Sequence, residues 1–208
     1  MRTFLFFSLL IVFSSCKTKS IISEVDTYKT EIEHHRAEYK QDFLKDERSP
    51  LREYDFEFMN FYPADIAYKC DCSFEYTRDA KPFEMSTVSG KTKIFTKYGV
   101  ASCSIDGNLF DVNIYGSKQT QAIPGYRDYL FIPYKDLTSG DSTYGGGRYI
   151  DMRMGDIRNG RVTIDFNKCY NPWCMYSDGY NCPIPPIENH FGVAIKAGEM
   201  VWTGEKKG

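Results

Sequence analysis

The chain has 208 residues, a formal charge of −2 and 42% hydrophobic residues, enough for one domain with a buried core. Its 26 basic residues are balanced by 28 acidic ones, so nothing in the charge invites nucleic acid. Tyrosine and phenylalanine are abundant, at 16 and 15 residues, which favours strands with aromatic pairs across them.

The first residues read as an export signal. Arg2 gives a short basic start, Phe4 to Phe13 is apolar apart from Ser8, and Ser14-Ser15-Cys16 brings small residues up to a cysteine. This is the layout of a signal peptide over residues 1–15, too short to remain as a spanning helix. The cysteine after the small pair resembles a bacterial lipobox, with Cys16 lipidated at the mature N-terminus and Phe13 in place of the usual aliphatic residue; an ordinary secretory cleavage is the alternative. The leader carries Arg2 and no acid, so its removal leaves 193 residues and a formal charge of −3. The expected location is the bacterial cell envelope, facing the periplasm or the exterior, with the bilayer as partner through Cys16. Residues 16–21 form the tether, and Lys17 and Lys19 are too few to define an anionic-lipid site.

A helix is predicted over 22–44, within an N-terminal segment of residues 22–49. Ile22, Val25, Ile32, Tyr39 and Phe43 recur at helical steps, Ser23 or Asp26 caps the start, and Arg48-Ser49-Pro50 ends it. Glu31–His35 and His34–Glu38 stand four apart, which favours pairing with acids over metal ligation.

Residues 50–208 read as a β-rich domain. Strands are expected at 67–77, 93–96, 101–105, 108–115, 129–133, 148–154, 161–166 and 191–196. Asp106-Gly107 marks a tight hairpin, and Ser139-Gly140-Asp141, Arg158-Asn159-Gly160 and the prolines at 183–186 mark further turns. The fold class is therefore mainly β: an antiparallel barrel or sandwich of about eight strands with one N-terminal helix.

Several motifs then follow in order: Phe61-Tyr62-Pro63, Tyr129-Leu130-Phe131-Ile132-Pro133, Asp136-Leu137-Thr138-Ser139-Gly140, Thr143 to Tyr149, Asp165-Phe166-Asn167, Tyr170-Asn171-Pro172, Cys174, Cys182-Pro183 and Glu188-Asn189. Together they resemble the bacterial family known as domain of unknown function 1684, over roughly residues 50–200. Trp173 and Asp178-Gly179-Tyr180 are small departures in a variable loop. The resemblance implies no assigned activity, and the fold is compared with flavin-binding split barrels.

Apart from Cys16, six cysteines remain, an even count that suggests disulfides in an oxidising compartment. Cys174 and Cys182, eight apart around a turn-rich loop, are the favoured bridge; Cys70 or Cys72 can reach Cys103 on a neighbouring strand. The alternative is a zinc site from Cys174, Cys182 and His190, with Glu188 or Asp178 as a fourth ligand or base. Its spacing lacks the paired two-residue step of common zinc motifs. No metal or cofactor is favoured, zinc and flavin being the alternatives.

Gly145-Gly146-Gly147 beside Arg148 offers backbone N–H groups and a fixed positive charge, a cradle for a carboxylate or phosphate. The competing reading is a close strand crossing, with Arg148 paired to Asp151 or Asp165. Asp165, Asn167 and Asn171 fall where a strand enters a loop, Glu188 and Asn189 precede His190, and Tyr144, Tyr149, Tyr170 and Trp173 supply aromatic faces. No serine stands in a nucleophile elbow and no helix carries two histidines four apart, which argues against those enzyme classes. The expected function is a tethered binding module for a small anionic or sugar-like ligand. A metal-assisted hydrolase, a flavin-binding protein and a structural envelope lipoprotein are the alternatives. No oligomeric state is indicated.

Overall fold

The computed structural model describes residues 15–208. The predicted leader therefore lies outside the described residues except for Ser15, which opens the long helix α1 (Ser15–Lys45). Tyr28, Ile32 and Phe43 are buried along one face of α1, with half-buried Tyr39 between them, as the four- and seven-residue steps require. Polar bonds fix the same face: Tyr28 Oη donates to Asp165 at 2.8 Å and Arg36 Nη2 to the Tyr62 carbonyl at 2.8 Å.

Eight strands follow: β1 (Lys69–Tyr76), β2 (Phe83–Ser86), β3 (Thr92–Ile105), β4 (Asn108–Gly116), β5 (Tyr129–Tyr134), β6 (Arg148–Arg153), β7 (Ile157–Arg158) and β8 (Arg161–Asp165). A short helix, α2 (Lys118–Gln121), links β4 towards β5. All pairings are antiparallel, in the order β6-β5-β4-β3-β1-β8-β7, with β2 added to β3. The order does not return on itself, so the sheet is not closed. Both two-residue hairpins rest on positive φ angles: Asp106 and Gly107 at 50° and 78°, Asn159 and Gly160 at 52° and 69°.

Three strand expectations are corrected. Residues 93–96 and 101–105 are one strand, β3, continuing through a register shift between Lys97 and Gly99. Short β2 and β7 carry too few residues for a periodic signal. Residues 191–196 form no strand, because their backbone serves other partners. The Val193 carbonyl accepts from Leu137, Ile195 N–H donates to Asp136, and the Ile195 carbonyl accepts from Arg148.

Side-chain alternation divides the sheet. Cys72, Ala101, Cys103, Val112, Ile114, Leu130, Ile132, Ile150, Val162 and Ile164 build the main core on the inner face. Met85, Phe95, Tyr115, Phe131 and Tyr149 form a separate aromatic layer. A third cluster, Phe43, Leu51, Met59, Tyr176 and Trp202, fastens α1 to the C-terminal segment. Disulfides join Cys72 to Cys103 across β1 and β3, and Cys174 to Cys182 across a loop, while Cys70 and Cys169 remain as buried thiols.

Candidate functional site: an aromatic cleft with a carboxylate

The antiparallel register dictates where the outer aromatic layer leads. Tyr115, Phe131 and Asp151 stand opposite one another across β4, β5 and β6. Ring contacts continue from Phe95 to Phe131 at 5.7 Å, from Phe131 to Tyr149 at 4.7 Å and from Tyr149 to Tyr170 at 5.9 Å. Lys93 lies two residues before Phe95 on β3 and borders the same cleft. The cleft holds about 640 Å³, and its aromatic walls are completed by Tyr126, Trp173 and Tyr180. Trp173 is held edge-on to Tyr180 at 5.2 Å, and the Cys174–Cys182 disulfide staples the loop that carries both.

Asp151 lines a second cavity, of about 960 Å³, between α1 and β6, which adjoins the cleft at Tyr126, Tyr170 and Trp173. Its Oδ1 accepts from Tyr129 Oη at 2.7 Å and Tyr170 Oη at 2.6 Å. Asp151 is solvent-exposed, yet protein atoms crowd its carboxylate. That loss of bulk solvation raises its pKa, against the two tyrosine bonds and the Arg153 charge, which lower it. At the other end, burial lowers the pKa of Lys93, which has no ion-pair partner among the described residues. The cleft thus carries an amine and ring faces, and two of its tyrosines bond an acceptor carboxylate in the adjoining cavity.

Most of the residues expected to form a site do something else. Arg148 is fully buried. Its Nη1 donates to the carbonyls of Ala197 at 2.5 Å and Glu199 at 3.2 Å; its Nη2 donates to the Ile195 carbonyl at 2.8 Å and to Asp136 at 3.4 Å. Its acidic partner is Asp136, in place of Asp151 or Asp165, because alternation turns residue 148 to the inner face and residue 151 to the outer one. Gly147 has φ of 91°, and a Cβ there would come within 2.5 Å of the Tyr134 carbonyl, so close crossing accounts for this glycine. Gly145 packs near Gly140, and Gly146 lies under the Tyr144 ring.

The asparagines bind backbone. Asn167 holds Asp65 through N–H to Oδ1 at 3.0 Å and Nδ2 to carbonyl at 2.8 Å. Asn171 Nδ2 donates to the Met200 carbonyl at 2.8 Å. Buried Asn189 ties β4 to β5, donating to the carbonyls of Asn113 at 2.9 Å and Pro133 at 2.8 Å. Asp165 receives the Tyr28 hydroxyl and its own Asn167 N–H, at 2.8 and 3.0 Å. Glu188 accepts from Tyr115 Oη at 2.8 Å and Lys97 Nζ at 2.9 Å. Burial works against its charge, but the Lys97 and Tyr115 bonds outweigh that and keep its pKa below the usual carboxylate range.

Of the predicted residues, Tyr149, Tyr170 and Trp173 meet at the cleft; Tyr144, the glycines, Arg148, Glu188 and Asn189 do not line it. The alternative metal set is not assembled, because Cys174 and Cys182 are bonded to each other and His190 Nε2 sits 3.1 Å from the Pro185 carbonyl. Lys93, Phe95, Tyr129, Phe131 and Asp151 were not among the expected site residues. The signal for them was the strand period: Tyr149 and Asp151 alternate with buried Ile150 and Met152.

Similarity to other proteins agrees with this architecture. Residues 54–200 match the family described as "Protein of unknown function (DUF1684)", and the chain belongs to that family. The solution NMR structure of an uncharacterized protein of Haloarcula marismortui is similar at 25% identity and a TM-score of 0.65, over 86% of this chain and 96% of that one. No functionally curated protein matches the chain.

Proposed function

We propose that the protein is a membrane-tethered envelope lipoprotein, anchored through Cys16, that binds a small anionic or sugar-like ligand in the aromatic cleft. The observation that carries this reading is an aromatic cleft lined by Lys93, two of whose lining tyrosines, Tyr129 and Tyr170, donate to the adjoining Asp151 carboxylate. Ring faces cover the apolar side of a sugar, while a carboxylate with a free oxygen accepts its hydroxyls. Tyr129 and Tyr170 both donate to Oδ1, which leaves Oδ2 for the ligand. A half-buried amine without an acid partner suits a carboxylate or phosphate substituent.

The test is a thermal-shift panel of neutral sugars, sugar acids and sugar phosphates on the wild type, Asp151→Asn, Lys93→Ala and Trp173→Ala. The expected result is stabilisation of the wild type by at least one class. Trp173→Ala loses it, and Lys93→Ala loses it selectively for anionic members. Equal shifts in all four proteins would overturn the assignment of the cleft.

A further inference from the structure

Asp151 belongs to more than one cavity. The aromatic cleft shares Tyr126, Tyr170, Trp173 and Arg48 with the cavity under α1. That cavity in turn shares Ile150, Asp151 and Lys168 with a groove of about 410 Å³ between β6 and β8, the stretch where the sheet fails to close. The three volumes, about 640, 960 and 410 Å³, each fall within the roughly 300–1,000 Å³ of a site for one small ligand. Joined through these shared lining residues, they make a trough that passes Asp151 and exceeds what one ring fills.

We infer that this trough binds an internal stretch of a linear glycan, several sugar units long, with Asp151 where the α1 cavity meets the groove. The inference rests on the reading of the cleft as a sugar site. Two features favour a glycan over an extended peptide. The trough offers acceptor side chains along its length, with Glu38 and Asp42 beyond Asp151 under α1 and Asp156 in the groove. A peptide added to the edge of β6 would need its outward backbone groups, at residues 149, 151 and 153. Tyr149 already exchanges both bonds with Tyr170, at 2.9 and 3.0 Å, and Arg153 N–H is held by Asp156 at 2.8 Å. Only Asp151 remains, too little for strand addition.

The experiment measures Kd by tryptophan fluorescence for oligogalacturonides and cello-oligosaccharides of one to six units, with an uncharged acetylated hexapeptide as the comparison. Affinity is expected to rise at least tenfold from dimer to hexamer in one series. Arg158→Ala, an exposed change at the far groove, narrows that gap several-fold. Short and long sugars binding alike would overturn the glycan inference and leave the cleft reading intact. No binding at any length in either series would remove both, and a peptide binding more tightly than either hexasaccharide would replace the glycan.

Discussion

Arg148→Met removes the guanidinium that gathers the C-terminal segment onto the domain. Three carbonyls, those of Ile195, Ala197 and Glu199, lose their donors, and Asp136 loses its cation in a fully buried site. Stripping one partner from a buried ion pair costs roughly 3–5 kcal/mol, and each orphaned acceptor roughly 1 kcal/mol or more. Asp136 keeps its bonds from Thr138 Oγ1 and Ile195 N–H, which offsets part of this. The expected loss is about 4–6 kcal/mol, a large share of the roughly 5–15 kcal/mol that holds a domain folded. At roughly 2–4 °C per kcal/mol for a domain of this size, Tm falls by about 10–20 °C. Arg148→Lys keeps the charge but cannot reach three carbonyls at once, so it recovers only part of the loss. Urea unfolding followed by circular dichroism reads both variants. A loss below about 1 kcal/mol for Arg148→Met, with an unchanged m-value, would refute the assignment of Arg148 as an internal staple.

Three further predictions follow from buried groups. Glu199 is completely buried, its carboxylate in no ion pair among the described residues, and burial raises its pKa from 4.5 to about 7 despite bonds from Tyr176, Asn171 and Tyr39. A carboxyl that holds its proton more tightly when folded gives stability that is full below about pH 4.5 and is lost as pH rises towards about 7. The wild type minus Glu199→Gln difference in unfolding free energy should fall by a few kcal/mol over that window; a flat difference contradicts it. Replacing Cys72 and Cys103 by serine opens a 31-residue separation and should cost about 4 kcal/mol in the loop-entropy model, against about 2.5 kcal/mol for the eight-residue Cys174–Cys182 closure. Chemical denaturation of the two double variants would expose a reversed order. Gly198→Ala would put a Cβ within 2.2 Å of Cys169 Sγ and 2.6 Å of the Phe166 carbonyl at φ of 71°, so it should destabilise by several kcal/mol, and a Tm within 2 °C of wild type would refute it.

Most of the longer strands and both tight turns were legible in the sequence because they depend on local rules: period-two alternation, Asp106-Gly107 and Asn159-Gly160. The roles of the polar motifs were not, since they are long-range. Arg148 meets carbonyls about fifty positions later in the chain, and Asn189 meets a strand 76 positions earlier. A buried polar residue that satisfies irregular backbone and one that faces a ligand look alike in a sequence. Residues 169–208 contain no regular strand, so their backbone groups need such partners; Asn171, Asn189 and Glu199 within the segment and Arg148 from β6 are part of that supply. Three of the four expected aromatics, Tyr149, Tyr170 and Trp173, converge on one cleft, but the cation there without an ion-pair partner among the described residues is Lys93, on β3, in place of Arg148.

The most direct test of the central claim is a titration of isotope-labelled protein with galacturonate and its short oligomers, followed by backbone amide NMR shifts. The account predicts that perturbations centre on Asp151, Tyr170 and Trp173 and extend to Lys93. Shifts confined to Gly145–Gly147 and their neighbours would contradict it and return the site to the glycine loop.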